Sequence, residues 1–279
     1  MKYEYDLHIH TTASDGVLTP QEVIDKAVEI GLKGIAISDH DTVAGLEKAR
    51  QYLNTTSYCL DFIPAVELNT EAEKEEVHIL GYFIDPQNAA LNQRLQDIRI
   101  SRYHRSEQMV SRLQEAGLKI NFTQVKELAQ GESIGRPHVA RALINNNYVA
   151  SIDEAFEKYI GWGAPGYVPR YKFLPAEAIE LIKNAGGIAV LAHPGLIKNK
   201  KKVLDIINLG IEGLEVFYPE HSPEQIEELL RLARRYHLLL TGGSDYHGPG
   251  GAESRANMGS AGVSKKLADQ LYTYLNFRE

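Results

Sequence analysis

DLHIHTTASDGVLTPQEVIDKAVEIGLKGIAISDHD, residues 6–41, is the stretch whose reading decides the fold. It begins with a short apolar run, DLHIH (6–10), and ends with another, GIAISDHD (34–41). Between them, TPQEVIDKAVEIGLKG spaces its apolar residues at helical intervals. Thr19 is placed to cap that helix, Pro20 takes its first position, and Gly31 follows the last turn. Strand, helix, strand is the unit from which parallel sheets are wound. Within a strand, side chains two residues apart share a face, so His8 and His10 look one way and Ile9 the other. Two imidazoles with one outlook can hold a metal ion, hydrogen-bond a phosphate or simply decorate a surface.

The unit recurs along the chain. Further apolar runs lie at FIPAVEL (62–68), VHILGYF (77–83), GIAVLAHP (187–194), GLEVFYPEH (213–221) and LLLTGGSDYH (238–247), giving seven candidate strands. Helical patterns with the same punctuation appear in LPAEAIELIKNAGG (174–187) and SPEQIEELLRLARRYH (222–237), the latter opened by Ser222 and Pro223. Repeated strand–helix units predict an α/β barrel wound like a (β/α)8 barrel, here with seven strands. An open doubly wound sheet is the alternative. Residues 87–175 break the rhythm: NAALNQRLQDIRISRYHRSEQMVSRLQEAG (88–117) reads as one long helix closed by Gly117, and shorter helices start near Pro137 and at Ser151. This predicts a barrel from residues 1–86 and 176–279, carrying 87–175 as a helical insertion that caps the substrate site. The insertion is locally basic, through Arg94, Arg99, Arg102, Arg105 and Arg112.

The 279 residues, 43% hydrophobic and 24% charged, can bury a sizeable core. A net charge of −7 excludes a general electrostatic grip on nucleic acid. An anionic ligand must be drawn by local basic groups or by bound metal. The single cysteine, Cys59, allows no internal disulfide, and no apolar stretch is long enough to span a membrane. With no signal-peptide pattern at the N-terminus, a cytoplasmic location is expected.

Six of the ten histidines (His8, His10, His40, His78, His193 and His247) lie in or just after a predicted strand. Asp15, Glu67 and Asp245 occupy comparable places. In such barrels catalytic groups gather at the C-terminal mouth, one or two from each strand. His78 falls near the start of its run, and reaches the same mouth only if that strand is antiparallel to its neighbours. Asp39 and Asp41, flanking His40, read as turn or cap residues. Histidine and carboxylate without thiolate suit Zn²⁺, Mn²⁺ or Fe²⁺. Nine ligands are too many for one ion; three divalent ions with three or four ligands each, one carboxylate bridging, fit the count.

Taken in order, HIHTTASDG, SDHDT, Glu67, VHILGY, LAHP and GSDYHG resemble the PHP (polymerase and histidinol phosphatase) family of metal-dependent phosphoesterases. The resemblance implies a distorted (β/α)7 barrel with a trinuclear centre. It places one ion on His8, His10, Glu67 and Asp245, and a second on Glu67, His78 and His193. Asp15, His40 and His247 would hold the third. The nucleophile would be a water bridging the metal ions, held by Glu67, Asp245 and neighbouring ligands. IGRPHVARAL and EVFYPEHSPEQ resemble the branch that removes phosphate from nucleoside 3′,5′-bisphosphates or trims short RNA from its 5′ end.

Arg136 and His138 flank Pro137 at an expected helix N-terminus, where backbone N–H groups and a guanidinium would bind phosphate. Arg102 on the long helix is a further phosphate candidate. Tyr218 and His221, after the sixth strand, are expected to contact substrate, with His221 as candidate general acid. GWGAPG (161–166) fits a dinucleotide-binding pattern but follows a helix and contains Pro165, so it reads as a loop. The expected partner is a small phosphorylated substrate, a nucleotide or short RNA, with no membrane and no protein partner. A histidinol-phosphate-type phosphatase and a non-catalytic, metal-stabilised binding module are the rival readings. An amidohydrolase-type site would expect a metal-bridging lysine late in a middle strand, and the sequence offers none.

Overall fold

Seven strands form one sheet in chain order: β1 (Tyr5–Ile9), β2 (Gly34–Ile37), β3 (Asp61–Ala72), β4 (Glu75–Tyr82), β5 (Ile188–Leu191), β6 (Gly213–Phe217) and β7 (Leu239–Gly242). The structure, a computed structural model, describes residues 3–73, 75–129, 134–169, 172–249 and 256–277. Pairing is parallel throughout except around β4, which runs antiparallel to both β3 and β5. The ends of the sheet meet: Ile9 bridges Tyr246, and the His10 N–H donates to the Tyr246 carbonyl at 2.9 Å. The sheet is thus a nearly closed barrel rather than an open doubly wound layer, and the reversed β4 brings His78 to the common mouth.

Helices α1 (Pro20–Glu29), α2 (Ala44–Thr55), α7 (Pro175–Asn184), α8 (Lys200–Asn208), α9 (Pro223–Tyr236) and α10 (Lys265–Phe277) belong to the barrel; the other helices lie between β4 and α7. Local sequence explains the starts. The Thr19 N–H donates to Glu22 Oε2 at 2.8 Å and the Glu22 N–H donates back to Thr19 Oγ1 at 3.3 Å, a capping box ahead of Pro20. Ser222 and Gln225 repeat the device at α9. Val23, Ile24 and Ala27 of α1 then pack in one apolar layer with Ile9 and Ile35. Tyr5, Leu7, Ile63, Leu80, Tyr82 and Val190 form a second cluster, which Val263, Ala268 and Leu271 of the C-terminal stretch help complete at the floor.

Because β4 runs from mouth to floor, the chain leaves it at the floor. Helix α3 (Ala89–Glu115) makes good the distance: 27 residues, about 40 Å at 1.5 Å per residue. Near its start, the Asn88 side chain donates to the Asn184 carbonyl at the end of α7. Midway, Arg102 pairs with Asp41 at the mouth. The last turns enter a separate apolar cluster of Met109, Val110 and Leu113 with Val125 of α4 (Phe122–Leu128), Val139 and Leu143 of α5 (Arg136–Asn145), and Ala155 of α6 (Ile152–Ala155). A π-helical turn, Phe156–Ile160, continues α6, and GWGAPG forms turns after it. Among the described residues no helix is long and apolar enough to cross a membrane.

Candidate metal centre

His8 and His10 close β1 with Ile9 facing the opposite, helix-packed side, as strand alternation requires. Asp15 follows in the loop, His40 comes three residues after β2, and Glu67 lies within β3. His193 follows β5; Asp245 and His247 follow β7. All converge. Imidazole centroids are 4.1 Å apart for His10 and His247, 4.5 Å for His10 and His40, and 5.0 Å for His78 and His193. Among the described residues, three groups have ligand atoms within 4.8 Å of one another: His8, His10, Glu67 and Asp245; His10, Asp15, His40 and His247; and His40, Glu67 and His78.

Glu67 is the hub. Its Oε2 lies 3.2 Å from His8 Nε2, 3.3 Å from His10 Nε2 and 2.9 Å from His40 Nδ1. Its Oε1 lies 2.8 Å from His78 Nδ1 and 3.2 Å from His193 Nε2. Asp245 Oδ1 approaches His10 Nε2 at 3.0 Å and His8 Nε2 at 3.3 Å. Asp15 approaches His247 Nε2 at 3.4 Å. His10 and His40 each border two groups, a sharing that a residue-by-residue partition does not anticipate.

The donor chemistry fits divalent cations. Buried polar atoms are almost always hydrogen-bonded, yet among the described residues seven buried side-chain atoms have no hydrogen-bond partner: His8 Nε2, both His10 ring nitrogens, Asp15 Oδ1, Glu67 Oε2, Asp245 Oδ1 and His247 Nε2. All belong to this cluster. Its electrostatics agree. Burial would push the His10 imidazole down, but the adjacent carboxylates of Asp245 and Glu67 outweigh it and raise it to about 10. Burial would likewise raise Glu67; the surrounding His40, His8 and His78 hold its carboxyl well below the carboxylate range. The site is built to keep carboxylates ionised around positive charge.

Several supports escaped the sequence reading. The fully buried Glu215 on β6 lies 2.9 Å from His8 Nδ1, and its other oxygen accepts the His193 N–H at 2.8 Å. The Asn69 amide lies 3.0 Å from His40 Nδ1. Asp39 accepts from the Thr11 N–H and hydroxyl and from Ser14, shaping the loop that carries Asp15. Asp41 accepts from Asn69 and Arg102. The Arg141 guanidinium donates to the Asp15 carbonyl at 2.8 Å. Asp41, His193 and Asp245 all adopt positive φ (52°, 29° and 54°), a conformation that costs non-glycine residues energy and clusters at functional sites.

A cleft of about 440 Å³ opens beside His40, His78, His193 and Asp245, walled by Arg136, Phe156 and Tyr218. A tighter cavity of about 70 Å³ continues under the insertion past Arg102, Arg105 and Phe173. Arg136 is common to both; it pairs with Glu76 and lies 4.9 Å over the Phe156 ring. Tyr218 donates to Asp245 Oδ2 at 2.9 Å. Arg102 is turned to Asp41 and the Ile134 carbonyl, as a clip between α3 and the barrel. His138 is buried and caps α5, its Nδ1 accepting the Gly135 N–H at 3.1 Å. His221 lines neither cavity: its Nδ1 donates to the Val216 carbonyl at 2.9 Å and its Nε2 accepts the Gly195 N–H at 3.0 Å. A general acid needs a ring proton aimed at the leaving group. With both nitrogens held by backbone, and burial pushing its pKa down, His221 is instead a brace for the β5 and β6 loops.

Comparison with known proteins places these observations. The PHP domain model matches residues 6–240. The 5′-3′ exoribonuclease Rnm of Escherichia coli is 37% identical over 250 residues, 88% of this chain and 85% of the relative. The 3′,5′-nucleoside bisphosphate phosphatase of Chromobacterium violaceum is 36% identical, covering 88% and 87%. A crystal structure from Bifidobacterium adolescentis, described as a metal-dependent phosphoesterase, superposes with a TM-score of 0.87 at 31% identity, covering 96% of this chain and 95% of that one.

Proposed function

Because the chain belongs to the PHP domain family and is a metal-dependent phosphoesterase, we propose that it hydrolyses phosphomonoesters of small nucleotides, nucleoside 3′,5′-bisphosphates above all, and trims short RNA from its 5′ end. The convergence at one barrel mouth of seven buried ligand atoms without a hydrogen-bond partner carries the reading. The nine residues named above would hold three divalent ions, Mn²⁺, Zn²⁺ or Fe²⁺, with Glu67 shared. Bound there, such cations lower the pKa of water towards neutrality and neutralise phosphoryl oxygens.

The chain's own residues do the rest. Glu67 and Asp245 stay ionised and fix the spacing of the centre. Tyr218 orients Asp245 by donating to it. Arg136, poised over Phe156 between the two cavities, draws the phosphate that is not being cleaved, exchanging its pairing with Glu76 for the anion. Residues 87–175 act as the substrate-binding cap. The free, exposed Cys59 suits a reducing, cytoplasmic setting.

Phosphate release by Mn²⁺-supplemented protein, with and without chelator, tests the proposal on adenosine 3′,5′-bisphosphate, AMP, histidinol phosphate and a short 5′-phosphorylated RNA. Chelator-sensitive turnover favouring the bisphosphate or RNA is expected. Preference for histidinol phosphate would discard the nucleotide reading. Arg136→Ala should raise KM about tenfold, the loss of one charge-assisted anion contact, while metal content holds.

A further inference from the structure

Glu215 is a carboxylate with no exposure, set in the apolar strand β6, and the reaction described above gives it no part. Its two oxygens face two N–H donors from different strands. Oε1 lies 2.9 Å from His8 Nδ1, at the end of β1; Oε2 lies 2.8 Å from the main-chain N–H of His193, after β5. A carboxylate only accepts, so the hydrogen on the first contact must reside on His8 Nδ1. That choice leaves Nε2 to present its lone pair to the centre, and His8 Nε2 is among the buried atoms without a hydrogen-bond partner. The second contact pins His193 at φ 29°, ψ 54°, from where its ring reaches Glu67 Oε1 at 3.2 Å.

Other ligands are oriented singly: His40 by Asn69, His247 by the Asp245 carbonyl 2.8 Å from its Nδ1. Among the described residues Glu215 alone serves two. We infer that Glu215 is a positioning residue that fixes the His8 tautomer and the His193 backbone together, and so couples loading of the two ions that share Glu67. The inference rests on the metal reading above. Glutamine cannot substitute: its amide nitrogen would meet one of the two N–H groups donor to donor.

Competition with a chromophoric chelator for Mn²⁺ tests this on wild type, Glu215→Gln and, as a control, Glu212→Gln. Glu212 is another buried β6-edge carboxylate that accepts a strand N–H, from Ala189, away from the centre. Glu215→Gln should weaken Mn²⁺ binding 10- to 100-fold, the range for such outer partners, and lower the number of ions retained by two. The Glu212 variant should bind as wild type. At saturating Mn²⁺ the Glu215 variant should recover kcat without a change in KM. Equal affinity in wild type and Glu215→Gln would overturn the inference and leave the metal reading standing. A wild-type chain that binds no Mn²⁺ would sink both. Should the variant fail to fold, ¹H–¹⁵N correlation in the Zn²⁺-loaded wild type decides: His8 must carry its proton on Nδ1, and a proton on Nε2 refutes the assignment.

Discussion

His8 and His10 were legible as a pair because strand alternation is a geometric certainty once the strand is recognised. Removing either the imidazole in His10→Ala or the charge in Asp245→Asn should abolish bound metal and turnover together, measured as ions per chain and phosphate released. Glu215 was not legible, since a glutamate in an apolar run carries no mark of what it will face. Nor was the burial of His138, which from sequence is a polar residue in a helix's first turn. Burial pushes its imidazole down to about 4; Arg141 and Arg102 add to this against the pull of Asp15. Above pH 6.5 neither the folded nor the unfolded state is protonated there. As pH falls from 6.5 to 4 the unfolded chain gains a proton that the native state refuses, so stability declines by about 3 kcal/mol over that window. His138→Gln keeps an acceptor at the capping position and should lose less of its melting temperature between pH 7 and 4.5 than wild type; equal losses would refute the assignment.

Elements were read well where their ends are written locally, as at Thr19–Glu22 and Ser222–Gln225, and poorly where partners set them. Hydrophobic periodicity has no direction, so the reversal of β4 could be stated only as a condition for His78. Nor did it show how far β3 extends: NTEA (69–72) is polar enough to pass for loop, yet it pairs with β4 in register, Asn69 opposite His78. Helix α3 was foreseen in length but not in its fastening. Arg102 was a phosphate candidate because a guanidinium on a helix has no evident target until the helix is placed. In place, it neutralises Asp41, which has no exposure. Arg102→Met should therefore cost about 3 kcal/mol, the order expected when a buried carboxylate loses its cation, read from urea unfolding. A loss under 1 kcal/mol would mean the clip is dispensable.

At the scale of the molecule, consecutive strand order and meeting ends explain why ligands 237 positions apart, His8 and Asp245, become neighbours. That convergence binds the barrel's mouth through its ligands, so chelation should act on the entire fold. A cation present at a hundred times its Kd stabilises by about 2.7 kcal/mol per site. For a chain of this size, each such site should raise the melting temperature by roughly 5 °C, and scanning calorimetry with and without chelator checks it. Identical melts would separate the centre from the stability of the barrel.

Helix α3 carries one more consequence. The first half of it is fastened to the barrel, from Asn88 to Arg102, and its last turns pack against α4, α5 and α6; the return segment is tied where the Glu71 N–H meets the Phe173 carbonyl. Mechanically this is a beam braced at several points, Arg136 to Glu76 and Arg141 to the Asp15 carbonyl among them, not a door on a pin. A load on the segment is therefore shared among all these ties rather than borne at one joint.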